Sequence, residues 1–239
     1  MYDQSMFSEP GYSSGQSFER EPLGVYTAKT FGWMALGLFT TFALSFVMSV
    51  TPIAYALFSV PALPFLLLIL EVVVVTALSA KVHKISVGAA RGLFFLYSAL
   101  NAVTFSAILL TYSLGTLIFV FGLTALYFGV LAAYGYFTKR DLSNLRTFLL
   151  FGLAFLAIYW LISLFLPMTG FDRIACLIGI VVFMGFTAYD TQKIKAFYYS
   201  IDPQSDMGKK MSIISALELY LDFVNLFLYI LRLVGASRD

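Results

Sequence analysis

One cysteine and one histidine are all that this chain of 239 residues offers to thiol or metal chemistry. Cys176 has no second thiol to pair with, and inside its apolar segment it reads as a small buried hydrophobe. Together with His83 it falls short of the three or four ligands of a protein zinc site. Charge is also scarce. Charged residues make up 12% of the chain, against about 25% in soluble domains. Hydrophobic residues make up 60% and the mean hydropathy is +0.88. Such a chain cannot cover a water-facing surface, which excludes a soluble globular enzyme. A net charge of +2 leaves no basic excess for nucleic acid. The composition is that of a polytopic membrane protein.

A basic start leading into a short apolar core is also missing, so no cleavable signal peptide is expected. Residues 1–28 are polar and rich in Ser, Gly and Tyr, and read as a flexible cytoplasmic tail. Residues 29–239 read as one transmembrane domain. No charge falls between Phe31 and Leu70, or between Gly92 and Thr138. Each run is long enough for two crossings at about 20 residues apiece. The break at Pro52 and the turn-like "TYSLGT" divide them. The expected spans lie near 30–50, 57–80, 88–111, 115–137, 145–166, 173–195 and 211–233, seven in all. The fold class is all-α, with the seventh span central in the bundle.

Lys and Arg set the expected orientation. Twelve lie on one side, from Arg20 and Lys29 through Lys81, Lys84, Arg91, Lys139, Arg140 and Arg146 to Lys193, Lys195, Lys209 and Lys210. Three lie on the other, Arg173, Arg232 and Arg238. The positive-inside rule then places the N-terminus in the cytoplasm and the C-terminus outside. "AxxxG" at Ala175 and Gly179 would let helices approach closely.

Four acids interrupt the oil: Glu71, Asp190, Glu218 and Asp222. A carboxylate at mid-bilayer costs about 2.5–3.5 kcal/mol on insertion scales, so it faces the bundle interior or water and marks a functional site. In the seventh span Ser215, Glu218, Asp222, Asn225 and Tyr229 recur at spacings of 3, 4, 3 and 4, one stripe down one face. That stripe is expected to line a path, or to make interhelical hydrogen bonds with protonated acids. By helical rise Asp222 lies about 16 Å in from the cytoplasmic end and Asp190 about 8 Å. A short loop makes their helices antiparallel neighbours, so the two carboxyls are placed to meet. Two carboxylates in contact tend to share one proton, which makes such a pair a pH sensor. Lys193, Lys195, Lys81, His83 and Lys84 on the same side read singly as membrane-flanking anchors.

The residues "GFTAYDTQKIK" followed by "ALELYLDFVNLFLYILRL" resemble the transmembrane Bax inhibitor motif (Bax inhibitor-1-like) family, above all its bacterial members. The resemblance covers nearly all the chain after the tail. It implies a seventh helix surrounded by the other six, and a pH-sensitive aspartate latch, here Asp190 and Asp222, over a calcium leak. Glu71 in "LEVVVV" looks like the family's acid in the second helix. The family's arginine near the end of that helix is replaced by "SAKVHKIS", so Lys81 or His83 would stand in for it. No cofactor is expected. Calcium would be the permeant ion, weakly and transiently held by Asp190 and Asp222, with protons and the bilayer as the other partners and a bacterial plasma membrane as the site.

Rival readings stay open. A proton-coupled transporter would use the same acids. A regulatory protein, anti-apoptotic or protease-modulating as some family members are, would act through unknown protein partners. An intramembrane aspartyl protease also needs two aspartates, and "AYD" fits, but "LYLD" stands where GxGD is required. A retinal protein needs a lysine in the seventh span, and Met211 to Leu233 contains none.

Overall fold

A computed structural model describes residues 20–163, 165–166 and 170–235. Among these residues there are eight helices and no strand: α1 Leu23–Ser49, α2 Ile53–Phe58, α3 Leu63–Ala80, α4 Val87–Thr111, α5 Leu114–Phe137, α6 Ser143–Ser163, α7 Asp172–Ser200 and α8 Asp206–Gly235. All but α2 are long and apolar enough to cross a membrane.

Local chemistry sets several of the ends. Ser86 and Ser113 cap α4 and α5 by accepting from the amides of Ala89 and Thr116. Pro64 sits in the first turn of α3, where its missing N–H costs nothing. Other boundaries depart from the sequence reading. The start of α1 at Leu23 takes in the last six residues of the segment read as tail. The short α2 occupies the connection after Pro52. Both α7 and α8 run past the expected span, α7 to Ser200 and α8 from Asp206. A helix satisfies its own backbone groups and need not stop where the apolar run stops. Residues 1–19, Pro167 and Arg238 lie outside the described residues.

The outer surface is apolar, with Phe39, Phe119, Phe148 and Phe151 all exposed, as lipid-facing side chains must be. The centre is α8. Some 72% of its apolar window is buried, against 17% for α3 and for α6. It packs on α1, α4, α5 and α7, while α6 leans on α7 and α3 on α4. In lipid there is no hydrophobic drive between helices, so close packing and hydrogen bonds must hold them. Both are present. The Phe105 and Phe227 rings stack at 5.7 Å, Thr41 meets Tyr220 at 2.7 Å, and Thr30 meets Ser212 at 2.8 Å.

One end of the bundle collects the basic segments. The Arg20 guanidinium donates to the carbonyls of Tyr198 and Ile201. Lys195 donates to the Tyr136 and Thr138 carbonyls, and Lys210 to that of Ile85. These bonds join the start of α1 and the α3–α4, α5–α6 and α7–α8 connections at one end. At the opposite end Arg232 lies 3.6 Å from Asp172.

Candidate functional site

The candidate site lies between α6, α7 and α8. Helical spacing turns Thr187, Asp190, Thr191 and Ile194 of α7 toward the bundle, and all four are buried. Asp190 is 6% exposed and Asp222 only 4%. The two carboxyls face one another within hydrogen-bonding reach. The Asp222 Oδ2 is buried and has no hydrogen-bond partner among the described residues.

Lys193 bridges the helices. Its Nζ lies 2.6 Å from Oε1 of Glu218 on α8 and 3.9 Å from Oδ1 of Asp190, one turn back on α7. Arg146 of α6 is close enough to act on Asp190 through space. Asp190, Lys193, Arg146, Glu218, Asp222 and Asn225 line a cavity of about 390 Å³, walled on its apolar side by Phe183 and Phe186. The charges of the cluster balance in one state. With a single proton on the aspartate pair the pair carries −1; Glu218 adds −1 and Lys193 and Arg146 add +2, a sum of zero. With that proton gone the sum is −1. Among the described residues, no three acid, histidine or cysteine side chains converge closely enough to cage a metal ion. A cation here would meet two carboxylates and water.

The remaining stripe residues divide. Asn225 lines the cavity, its amide donating to the Leu221 carbonyl at 2.8 Å. Ser215 lies a turn toward the basic end, buried, its Oγ without a hydrogen-bond partner among the described residues. The Tyr229 ring stacks on Phe183 at 5.9 Å. A Cβ on Gly179 would come within 2.7 Å of that ring, so the small residue does permit the close approach of α7 and α8.

Three of the residues singled out from the sequence lie apart from this cluster. Glu71 does not join the aspartates. It is half-buried on α3, within electrostatic range of Tyr97 and Tyr220, its Oε1 without a hydrogen-bond partner among the described residues, and it is not on the cavity wall. Lys81 and His83 are exposed at the α3–α4 connection, and no ion pair joins either to an acid among the described residues. The basic partner is Lys193, read from sequence as an anchor. The signal was its place three residues after Asp190, but only the packing of α8 shows that the side chain turns inward.

The sequence matches the family described as "Inhibitor of apoptosis-promoting Bax1" over residues 24–239. The chain belongs to the Bax inhibitor-1-like family. Among its relatives, the inner membrane protein YbhL of Escherichia coli K12 is 38% identical over 221 residues, covering 92% of this chain and 94% of its own. An uncharacterized protein of Rickettsia prowazekii is 36% identical over 228 residues, covering 95% of each chain. Another, from Borreliella burgdorferi, is 36% identical over 215 residues, covering 90% and 93%. Family membership and seven apolar helices make the chain an integral multi-pass membrane protein. The matched region contains the whole aspartate–lysine cluster.

Proposed function

We propose that this protein is a pH-sensitive calcium leak pathway whose gate is the Asp190–Asp222 pair. The observation that carries the reading is the contact of two buried carboxyls from different helices at a cavity that also holds Lys193 and Glu218. With one proton shared, the cluster is neutral and α7 and α8 stay together. Without it, two like charges face each other. At about 4 Å and an effective dielectric of about 20 they repel by about 4 kcal/mol. That repulsion acts against the packing of α7 on α8 and favours a looser arrangement of the two helices. Cations would then pass along Glu218, Asp222 and Asn225.

Calcium takes six to eight oxygens. Two carboxylates supply fewer, which gives the weak site that conduction needs, since the ion must also leave. The basic end of the bundle faces the cytoplasm in this reading, following the positive-inside rule. No step requires bond-making chemistry.

Calcium flux into proteoliposomes, measured from acid to alkaline pH, tests the proposal. Wild-type flux should rise as pH rises, and Asp190→Asn and Asp222→Asn should each flatten the profile. Unchanged profiles in both variants would remove the gate. A proton-coupled transporter would instead show saturable counterflow driven by a proton gradient.

A further inference from the structure

At the basic end, away from the aspartates, a groove of about 890 Å³ opens between α1, α4, the start of α8 and the α7–α8 turn. Its volume falls within the range of small-molecule sites, about 300–1,000 Å³. Three cations line it, Lys29, Arg91 and Lys209, with one acid, Glu21. The lining therefore carries +2 (3 − 1), or +1 when Asp206, 3.9 Å from Lys209, is counted. Glu21 gives one oxygen to Lys29 at 2.7 Å. No ion pair occupies Arg91 among the described residues; its guanidinium lies 5.1 Å from the centroid of the Trp33 ring.

The groove is graded along α1. From Leu23, Lys29 lies about 9 Å down the helix and Leu36 about 20 Å. Charge is at the mouth, an interfacial tryptophan comes next, and Leu36, half-exposed, lies at the bottom. A free anion would use only the mouth. We propose that this groove binds an anionic phospholipid, its phosphate among Lys29, Arg91 and Lys209 and the upper part of an acyl chain along Trp33 and Leu36. Basic pockets between membrane helices recognise anionic headgroups by this chemistry. The site is independent of the aspartate gate.

The test uses the full-length protein in nanodiscs of phosphatidylcholine containing a minority of phosphatidylglycerol, with the lipid retained after detergent extraction counted by native mass spectrometry. Phosphatidylglycerol should be retained in preference to phosphatidylcholine. Each of Lys29→Ala and Arg91→Ala should weaken that preference roughly fivefold. Lys139→Ala, a cation at the same end but outside the groove, should leave it unchanged. Leu36→Trp keeps every charge and fills the apolar floor, so it too should reduce retention, which covers the case in which a charge variant does not fold. Equal losses from Lys139→Ala would show bulk surface attraction and overturn the proposal. So would full displacement of the lipid by millimolar inorganic phosphate, which would make this a free-phosphate site, and so would wild-type retention in Leu36→Trp.

Discussion

Lys193→Met removes the cation that bridges α7 and α8 beside the aspartate pair while keeping a chain of similar length. At 3.9 Å and an effective dielectric of about 20, the attraction between Lys193 and a charged Asp190 is about 4 kcal/mol. The lysine side chain is 27% exposed, so solvent takes much of this. A residual of about 1–2 kcal/mol lies between the values for fully exposed and fully buried ion pairs. The attraction favours the deprotonated, open state. Its loss should move the midpoint of the calcium flux profile to higher pH by about one unit, at 1.36 kcal/mol per unit. Lys193→Arg should restore most of the wild-type position. The assay is flux in proteoliposomes at half-unit steps of pH, on protein that elutes as a single species. A midpoint that stays in place, or moves to lower pH, would refute the role given to Lys193.

Three more predictions concern the frame around the site. A methyl at Gly135 would run into the Ala188 carbonyl, two residues before Asp190, so Gly135→Ala should lower the stability of the folded protein in detergent by about 1–3 kcal/mol, whereas Gly122→Ala, with open space around it, should not. Tyr220→Phe breaks the buried 2.7 Å contact with Thr41. Thr41 keeps its bonds to the Gly37 and Ser98 carbonyls, so the cost in a thermal melt should be only about 1 kcal/mol. Asp141, outside the membrane, is held below the ordinary carboxylate range by its hydrogen bonds from Ser143. A lowered value stabilises the fold above the ordinary range and is lost as pH falls through the lowered one. Melts of Asp141→Asn should therefore converge with wild type in acid and separate above it.

The sequence carried the frame well because a bilayer imposes it. Spans follow from uncharged runs, and the seventh span's polar stripe follows from the helical period, so Asp190 and Asp222 could be placed opposite each other from the residues alone. Side chains with long reach were not legible. Lys193 stands at a helix end where a lysine ordinarily turns to water, and its inward turn depends on Glu218 of another helix. Arg146 comes from α6, whose contacts no periodicity encodes. Glu71 looked like a member of the cluster because it is an acid in a span, but the face it presents is set by α3 packing on α4. The early start of α1 was hidden because "LGVYTA" follows a polar segment and carries no apolar run of its own.

The gate itself is tested most directly by the pH profile of calcium flux in the double variant Asp190→Asn with Asp222→Asn, beside wild type in the same proteoliposomes. Two amides cannot shed a proton or repel as ions, so the variant should give a flat profile from acid to alkaline pH while wild-type flux climbs. A double variant that keeps the wild-type rise would contradict the account.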